Sequence, residues 1–180
     1  MKKHLAAIVC LFLNGCLGYH IGPVKPYYLK EVHAIAVPTF KNDTLIPRIE
    51  SLVTGTVIKQ FQQDGTYQIV NEKNADAILK GEITRISRSP ARSVRGNVLA
   101  TTEFNLTMRV HYRLVGRDDK PLGPPADAVG TTSFFVSGSS SVGDGNNNQI
   151  GDVTADERQA LPLAAEELAT RLVSQISEGW

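Results

Sequence analysis

The sequence predicts an α+β domain in which two helices pack on one face of a mixed, mostly antiparallel sheet of four to five strands. The main observation is a strict alternation of apolar and polar residues from 103 to 114, which indicates a strand with one buried face. Two other segments carry apolar residues at helical spacing, and each offers one apolar stripe. Packing both stripes on the apolar sheet face buries all three surfaces and leaves the other sheet face polar.

Residues 1–15 are typical of an export signal. Two lysines precede a short apolar run that ends near Leu13, too short for a membrane span of about 20 residues. Cleavage of this segment would remove Cys10 and leave Cys16 as the single cysteine of the mature chain. A disulfide within the mature chain is then excluded, and the remaining thiol needs another explanation.

The residues around Cys16 supply one. The sequence Leu-Asn-Gly-Cys at 13–16 resembles the bacterial lipobox, in which the Cys becomes the first mature residue and carries acyl chains, although Asn14 departs from the commoner small or β-branched residue. We interpret residues 1–15 as a lipoprotein signal peptide and Cys16 as the lipidation site, because several acyl chains anchor a protein stably. A plain signal peptide with an unused thiol is the alternative. Leu17 in place of Asp favours the outer membrane, by similarity to the Gram-negative sorting rule.

The mature chain divides into a tether and one domain. Residues 16–33 contain glycines and prolines without a clean period, so we expect a lipidated N-terminus and an extended tether. Residues 34–180 are predicted to form a single α+β domain. A Ser-, Gly- and Asn-rich segment at 137–152 is predicted to be a flexible loop within it.

The domain opens with a predicted strand at 34–40 and a helix. Pro38 cannot donate to a strand ladder, so the strand lies at an edge or ends there. Apolar residues at three-to-four spacing then predict a helix from about 46 to 63, with Pro47 in its first turn and Gly65 after its end.

Four more strands and a second helix follow in the sequence. Thr154 and Glu157 form a capping box at the start of the helix, which ends near Gly179. Pro162 should kink or restart that helix because it removes a backbone hydrogen bond. The strands, joined mainly as hairpins, are predicted at 67–70, from about Ala77, at 103–114 and at 128–138.

The composition and motifs argue against several classes of function. A net charge of +1 and sparse aromatic residues disfavour nucleic-acid binding. No histidines fall at metal-ligand spacing, and His111 on the polar strand face is interpreted as a surface residue. Asp144, Asn146 and Asn148 resemble part of a calcium loop, but the glycine and the final glutamate that such a loop needs are absent. The sequence therefore predicts no enzyme, no metal and no cofactor.

One basic cluster is the candidate binding site. Four arginines and no acidic residue fall in the segment that joins two predicted strands. The cluster is a solvated hairpin tip, a positive patch that docks on a partner, or a contact for an anionic glycolipid or phosphate, which guanidinium groups bind in bidentate fashion. Its members are Arg85, Arg88, Arg92 and Arg95.

Several segments together resemble one family. The mature start CLGYHIG, the segment IAVPTFKNDTLIPRIESLVTGTVIKQF, the segment ADAILKGEITRI and the closing helix with Trp180 resemble the lipopolysaccharide (LPS)-assembly lipoproteins, the LptE family. The central motif is similar to a Val-Pro-x-Phe-x-Asn-x-Thr pattern. It is carried by Val37, Pro38, Phe40, Asn42 and Thr44.

The resemblance implies a non-enzymatic lipoprotein of the outer membrane. Members of the family sit as a plug inside the LptD β-barrel, help the barrel assemble and contact lipopolysaccharide on its way to the surface. A polar sheet face and a near-neutral net charge are compatible with a wet barrel lumen. The strand–helix opening is also similar to CsgG-like secretion lipoproteins and LpoB-like synthase activators, which would keep the fold and change the partner. A periplasmic hydrolase has no supporting constellation.

Overall fold

The structure, a computed structural model, describes residues 25–93, 101–135 and 155–179. Within these ranges the chain forms six strands and two α-helices, with two short 3-10 helices. Cys16, Arg95, Trp180 and the predicted loop at 137–152 lie outside the described residues. The elements are β1 (Ala34–Ala36), β2 (Lys41–Asn42), α1 (Ile49–Asp64), β3 (Gln68–Ile69), β4 (Ala77–Ser93), β5 (Thr101–Gly116), β6 (Ala126–Phe135) and α2 (Ala155–Glu178).

The strands form one mixed sheet, as predicted. Its order is β3-β1-β4-β5-β6, and β2 also pairs with β4. β1 runs parallel to both β3 and β4, and β2 runs parallel to β4, whereas the long strands β4, β5 and β6 are antiparallel neighbours. The predicted α+β class with a mostly antiparallel sheet is therefore confirmed.

The sheet has one more strand than expected because the chain pairs with β4 a second time, at β2, just after the predicted strand at 34–40. β1 ends at Ala36, and the chain pairs with β4 again only at Lys41. Pro38 lies between the two strands, where it has no backbone N–H to contribute to a ladder. The expectation that pairing would end near Pro38 is confirmed.

Both helices pack on the same face of the sheet, as predicted. Apolar residues of β4 and β5 that alternate along the strands meet the apolar stripes of α1 and α2 in one core. The fully buried side chains of this core include Leu79, Ile83, Leu106, Met108, Val110, Val53, Val57, Phe61, Leu168 and Leu172. We call the opposite, polar side of the sheet the open face.

Two glycines allow close packing within this core. A Cβ atom on Gly130 in β6 would lie 2.0 Å from the backbone oxygen of Ala164 in α2, so the helix can approach the strand only without a side chain there. A Cβ atom on Gly81 in β4 would lie 2.7 Å from the ring of Phe40. The bare backbone of Gly81 thus makes room for the aromatic ring of the motif residue Phe40.

The helix boundaries differ in detail from the sequence expectation. α1 begins at Ile49, after Arg48 adopts a left-handed conformation with φ 64°, so Pro47 precedes the helix and does not lie in its first turn. α2 continues through Pro162 from Ala155 to Glu178, so of the two effects predicted for this proline, a kink or a restart, the restart does not occur. The burial of Leu161 and Ala164 on either side of Pro162 offsets the lost hydrogen bond.

The described part of the predicted tether packs on the domain. Leu29 is 1% exposed and Val32 is 6% exposed, so both belong to the core. Lys25 Nζ donates to the backbone oxygen of Val32 at 2.8 Å and lies 4.8 Å from the ring centroid of Tyr67. The sequence pattern of 25–33 hides this packing because its few apolar residues show no regular period.

Candidate functional site

A bulge in β4 decides where the predicted arginines point. Ile83 pairs with Val110, but Arg85 pairs with Arg109, so Thr84 is an extra residue that shifts the register by one. Arg85 consequently lies on the open face beside Arg109. The bulge contains no Gly or Pro, the residues that often mark a bulge in a sequence, so the sequence alone did not indicate it.

The arginines do not form one cluster at a turn between strands, and this part of the sequence expectation needs correction. Arg88 pairs with Leu106, whose side chain is in the core, so Arg88 lies on the helix side of β4 and Arg85 on the open face. Arg92 is part of β4 opposite Glu103, and its side chain is not among those described. Arg95 lies outside the described residues.

Arg88 forms an ion pair with a buried carboxylate. Its Nη1 atom lies 2.9 Å from Oε2 of Glu157, whose side chain is 3% exposed, whereas that of Arg88 is 43% exposed. A buried carboxylate needs a partner, and the first turn of a helix is a favourable place for its charge. Arg88 therefore joins β4 to the start of α2.

Of the predicted arginines whose side chains the structure describes, Arg85 is the one without an ion pair. It is exposed, and no carboxylate of the described residues lies within ion-pair distance of its guanidinium. Its cross-strand neighbour Arg109 pairs instead with Asp127, with 3.2 Å between Nη1 and Oδ2. An incoming phosphate or carboxylate would meet an unpaired guanidinium at Arg85.

Arg85 borders a groove of about 470 Å³, which we call the edge groove. The loop after β2 forms one wall of the groove, and the free edge of β4 forms the other. Leu45 on the loop wall is 101% exposed, so an apolar side chain stands beside the cation. The groove is lined by Asp43, Thr44, Leu45, Ile46, Pro47, Thr84, Arg85, Ile86, Arg88 and Glu157.

The motif residues Phe40, Asn42 and Thr44 have structural contacts. The Asn42 Nδ2 atom donates to the Ile46 backbone oxygen at 2.9 Å and to Glu50 Oε2 at 3.0 Å. Asn42 Oδ1 accepts from the Thr44 backbone N–H at 2.9 Å and from the Thr44 hydroxyl at 2.7 Å. The backbone N–H of Phe40 donates to the buried Thr54 hydroxyl oxygen at 2.9 Å. The motif therefore fixes the path from β2 into α1.

The open face carries charges that are largely paired with one another. Lys41 lies 2.5 Å from Glu82, and this contact raises the pKa of Lys41. Lys80 lies 2.6 Å from Asp119 and, through that hydrogen bond, lowers the pKa of the carboxyl group. The open face is thus polar, as the alternation of β5 predicted, and several of its charges are paired with one another.

His111 lies on the open face, as the alternation predicted. Its Nδ1 atom is 2.8 Å from Asp127 Oδ1, and this hydrogen bond lowers the pKa of Asp127. The described residues contain no group of three side chains that could hold a metal ion. His111 and Asp127 together have no nucleophile beside them in the described hydrogen bonds, and we assign the pair to the surface network with Arg109.

The comparisons with known proteins decide the family. The profile of the family described as "LptE: Lipopolysaccharide-assembly" matches residues 32–176. This chain belongs to the LptE family. The match covers the motif from Val37 to Thr44 and both helices, and the resemblance seen in the sequence is confirmed. Membership in LptE, a family of assembly proteins, supports a non-enzymatic role.

Solved structures show the same fold at low sequence identity. Uncharacterized lipoprotein B from Nitrosomonas europaea is 14% identical, with a TM-score of 0.51 over 81% of this chain and 83% of that chain. A protein from Xanthomonas campestris is 12% identical, with a TM-score of 0.52 over 81% of this chain and 84% of that one. The comparison with curated proteins gave no match. In the described ranges, neither α-helix combines the length and apolar character needed to cross a membrane.

Proposed function

We propose that this LptE family member is an outer-membrane lipoprotein, anchored through Cys16 on the periplasmic side, that assists lipopolysaccharide transport and insertion. Its partner is an LptD-like β-barrel, which it enters as a plug and helps to assemble. The observation that carries the proposal is the family match over 32–176, preceded in the chain by the lipobox-like residues 13–16.

The open face supports the plug role. A protein inside a barrel needs a surface that stays wetted or meets polar walls without leaving charges unpaired. On the open face, Lys41, Lys80 and Arg109 each pair with a carboxylate of the same chain. Such a surface can lie against a polar lumen at a small desolvation cost, because its charges keep their partners.

The edge groove supports the contact with lipopolysaccharide. Lipopolysaccharide presents phosphate groups next to acyl chains, and the edge groove places the unpaired guanidinium of Arg85 next to Leu45 and Ile46. We assign the phosphate contact to Arg85, with Arg92 and Arg95 further along the same segment. Arg88, named with them in the sequence analysis, acts mainly by fixing β4 to α2 through Glu157.

The test of the proposed function is purification from membranes. The full-length chain with a C-terminal affinity tag, solubilised in mild detergent, should co-purify with a large β-barrel protein in equal amount. The variant Gln63→Ser is the control for co-purification. It changes an exposed residue of α1 that lies far from the open face, and it leaves the net charge unchanged. Recovery of the chain without a barrel would contradict the proposal. Recovery of a secretion pore or a cell-wall synthase would favour the CsgG-like or LpoB-like alternative.

A further inference from the structure

One edge of β4 is left without a neighbouring strand over half its length. β5 occupies the other edge, β1 pairs with this edge at Ile78, and β2 pairs with it as far as Ile83. The last hydrogen bond on this side joins the Asp43 backbone N–H to the Ile83 backbone oxygen at 3.1 Å. From Thr84 to Ser93, no strand in the part of the chain that the structure describes lies against this edge.

The ladder fixes which backbone groups face outward. In an antiparallel pair, consecutive residues turn their backbone N–H and C=O alternately toward the partner strand and away from it. Ile83 faces away from β5, and the bulge at Thr84 resets the alternation so that Arg85 faces β5. Ile86 and Arg88 then face outward, and each presents an N–H and a C=O.

Pro90 sets the limit of this free edge. It is the next outward-facing residue after Arg88 and has no N–H, which is the position where a strand tolerates proline. Natural edge strands use proline to stop further pairing. The free edge thus offers four backbone groups, two on Ile86 and two on Arg88, and ends at Pro90.

The motif keeps this edge free. A chain leaving β2 could simply continue along β4, but the Asn42 side chain binds Thr44 and Ile46 and turns the chain toward α1. The turned loop becomes the far wall of the edge groove, with Leu45 exposed at its rim. The same residues that identify the family therefore shape the groove between the loop and β4.

The side chains along the edge groove differ on its two sides. On the open face, Arg85 presents an unpaired cation next to Ser87. On the helix side, Ile86 lines the groove together with the apolar loop residues Leu45 and Ile46, and the Arg88 charge is already paired with Glu157. A strand in the groove would therefore meet a positive charge on one of its faces and apolar groups on the other.

We propose that the edge groove receives an extended segment of a partner polypeptide, which adds to β4 as a further strand next to β2. The segment alternates acidic and apolar residues: an acidic side chain pairs with Arg85, and the next residue packs on Ile86 and Leu45. Backbone hydrogen bonds to Ile86 and Arg88 supply the affinity, and the alternation supplies the specificity. The proposal rests on the β4 edge and does not depend on the contact with lipopolysaccharide.

Amide hydrogen exchange of the isolated full chain tests the first half of the proposal. The amides of Ile86 and Arg88 should exchange at least about tenfold faster than those of Ser87 and Ser89, which face β5. Equal protection of all four amides would mean that the edge is already covered within this protein or by a second copy, and it would overturn the proposal. Adding lipopolysaccharide micelles should leave the alternating pattern unchanged.

Photo-crosslinking in cells tests the second half. A benzoylphenylalanine at Leu45 should crosslink to a polypeptide, and the crosslinked segment should show the acidic–apolar alternation. Ile86→Pro removes the outward backbone N–H and should abolish the adduct. Ile86→Ala also removes most of the isoleucine side chain but keeps the N–H, and it should retain the adduct. Adducts with lipopolysaccharide alone, with a second copy or with a helical segment would overturn the proposal, as would equal yields from the two variants.

A charge reversal covers the case in which Ile86→Pro fails to fold. Arg85→Glu keeps the backbone of the edge and reverses the charge that an acidic segment requires. It should lower the polypeptide adduct at Leu45 at least about fivefold, while Lys73→Glu, at an exposed site in a different loop, should not. An unchanged yield from Arg85→Glu would contradict the acidic character of the segment.

Discussion

Arg85 and Arg88 stand three residues apart and have different roles. Arg88 holds the buried carboxylate of Glu157, so its removal would leave a buried charge unpaired and weaken the fold. Arg85 has no such partner among the described residues, and its substitution changes mainly the surface. Arg85 is therefore the position at which binding can be separated from stability.

Arg85→Glu should lower the affinity for lipopolysaccharide about tenfold, because one charge-assisted hydrogen bond to a phosphate is lost and a repulsion is added. Binding can be measured by fluorescence titration with purified lipopolysaccharide. Lys73→Glu makes the same change in net charge away from the edge groove and should bind normally. Equal affinities of the two variants and the parent would remove Arg85 from the proposed contact.

Asp76 links stability to pH. Its Oδ2 atom accepts the backbone N–H groups of His33 and Ala34 at 3.1 and 3.0 Å, and these hydrogen bonds lower the pKa of the carboxyl group below 3.8. A carboxyl group with a lowered folded pKa stabilises the protein above its unfolded pKa, and this contribution is lost as the pH falls through the folded value.

Asp76→Asn should accordingly be less stable than the parent at pH 7, and the difference should shrink below about pH 3.8 as Asp76 of the parent becomes protonated. Urea unfolding curves at pH 7 and pH 3 measure this. A difference that stays constant between the two pH values would show that the charge of Asp76 does not contribute.

At the scale of elements, β6 and α2 are joined through Gly130. The helix backbone lies so close that a methyl group at this position would overlap the Ala164 oxygen. Glu167 of α2 also accepts the backbone N–H of Thr131 at the outer edge of β6. The helix therefore covers part of an edge that would otherwise be open to pairing.

Gly130→Ala should destabilise the domain by about 3 kcal/mol, because the strand and helix must move apart. Gly55→Ala is the matched control: Gly55 lies in α1, nothing stands within 4 Å of its added Cβ, and the change should stabilise by up to about 1 kcal/mol. Both values follow from urea unfolding. A neutral effect of Gly130→Ala would mean that β6 and α2 separate easily.

The long elements were predictable and the short irregular ones were not. The alternation in β5 and the stripes of α1 and α2 gave the class, because their periods extend over many residues. The bulge at Thr84 was hidden, since a single extra residue leaves no compositional sign. The three-residue spacing alone places Arg85 and Arg88 on opposite faces of β4, but the bulge decides that Arg85 is the one on the open face. The candidate site was therefore predicted in position along the chain but not in geometry.

At the scale of the whole molecule, the proposed anchor precedes a segment that is firmly packed. Leu29 is buried, and the Tyr28 ring lies against Gly123, where a Cβ would come within 2.8 Å. The family match begins at residue 32, close to this packed segment. Only residues 17–24 separate the proposed lipidation site from the described part of the chain.

Cys16→Ser should release the protein from membranes into the soluble periplasmic fraction, because acyl chains can no longer be attached. Fractionation with immunoblotting, together with metabolic labelling by a palmitate analogue, measures this. A control with Cys10→Ser should stay membrane-bound, since that cysteine lies in the segment that we expect to be cleaved. Continued membrane association of Cys16→Ser without label would contradict the proposed anchor.

The antiparallel pair β4–β5 also sets the distance between the packed N-terminal segment and Arg92. Tyr28 and the C-terminal end of α2 lie at the end of the sheet where β4 begins, whereas Arg92 lies near the other end of the strand. A strand from Ala77 to Ser93 is about 50 Å long. Arg92 is thus separated from the packed N-terminal segment by about the length of the strand, which is comparable to the full thickness of a bilayer of about 40–45 Å. Removing two cross-strand pairs from β4 and β5 would bring Arg92 about 7 Å closer to that segment, so the length of this strand pair sets the reach of the protein.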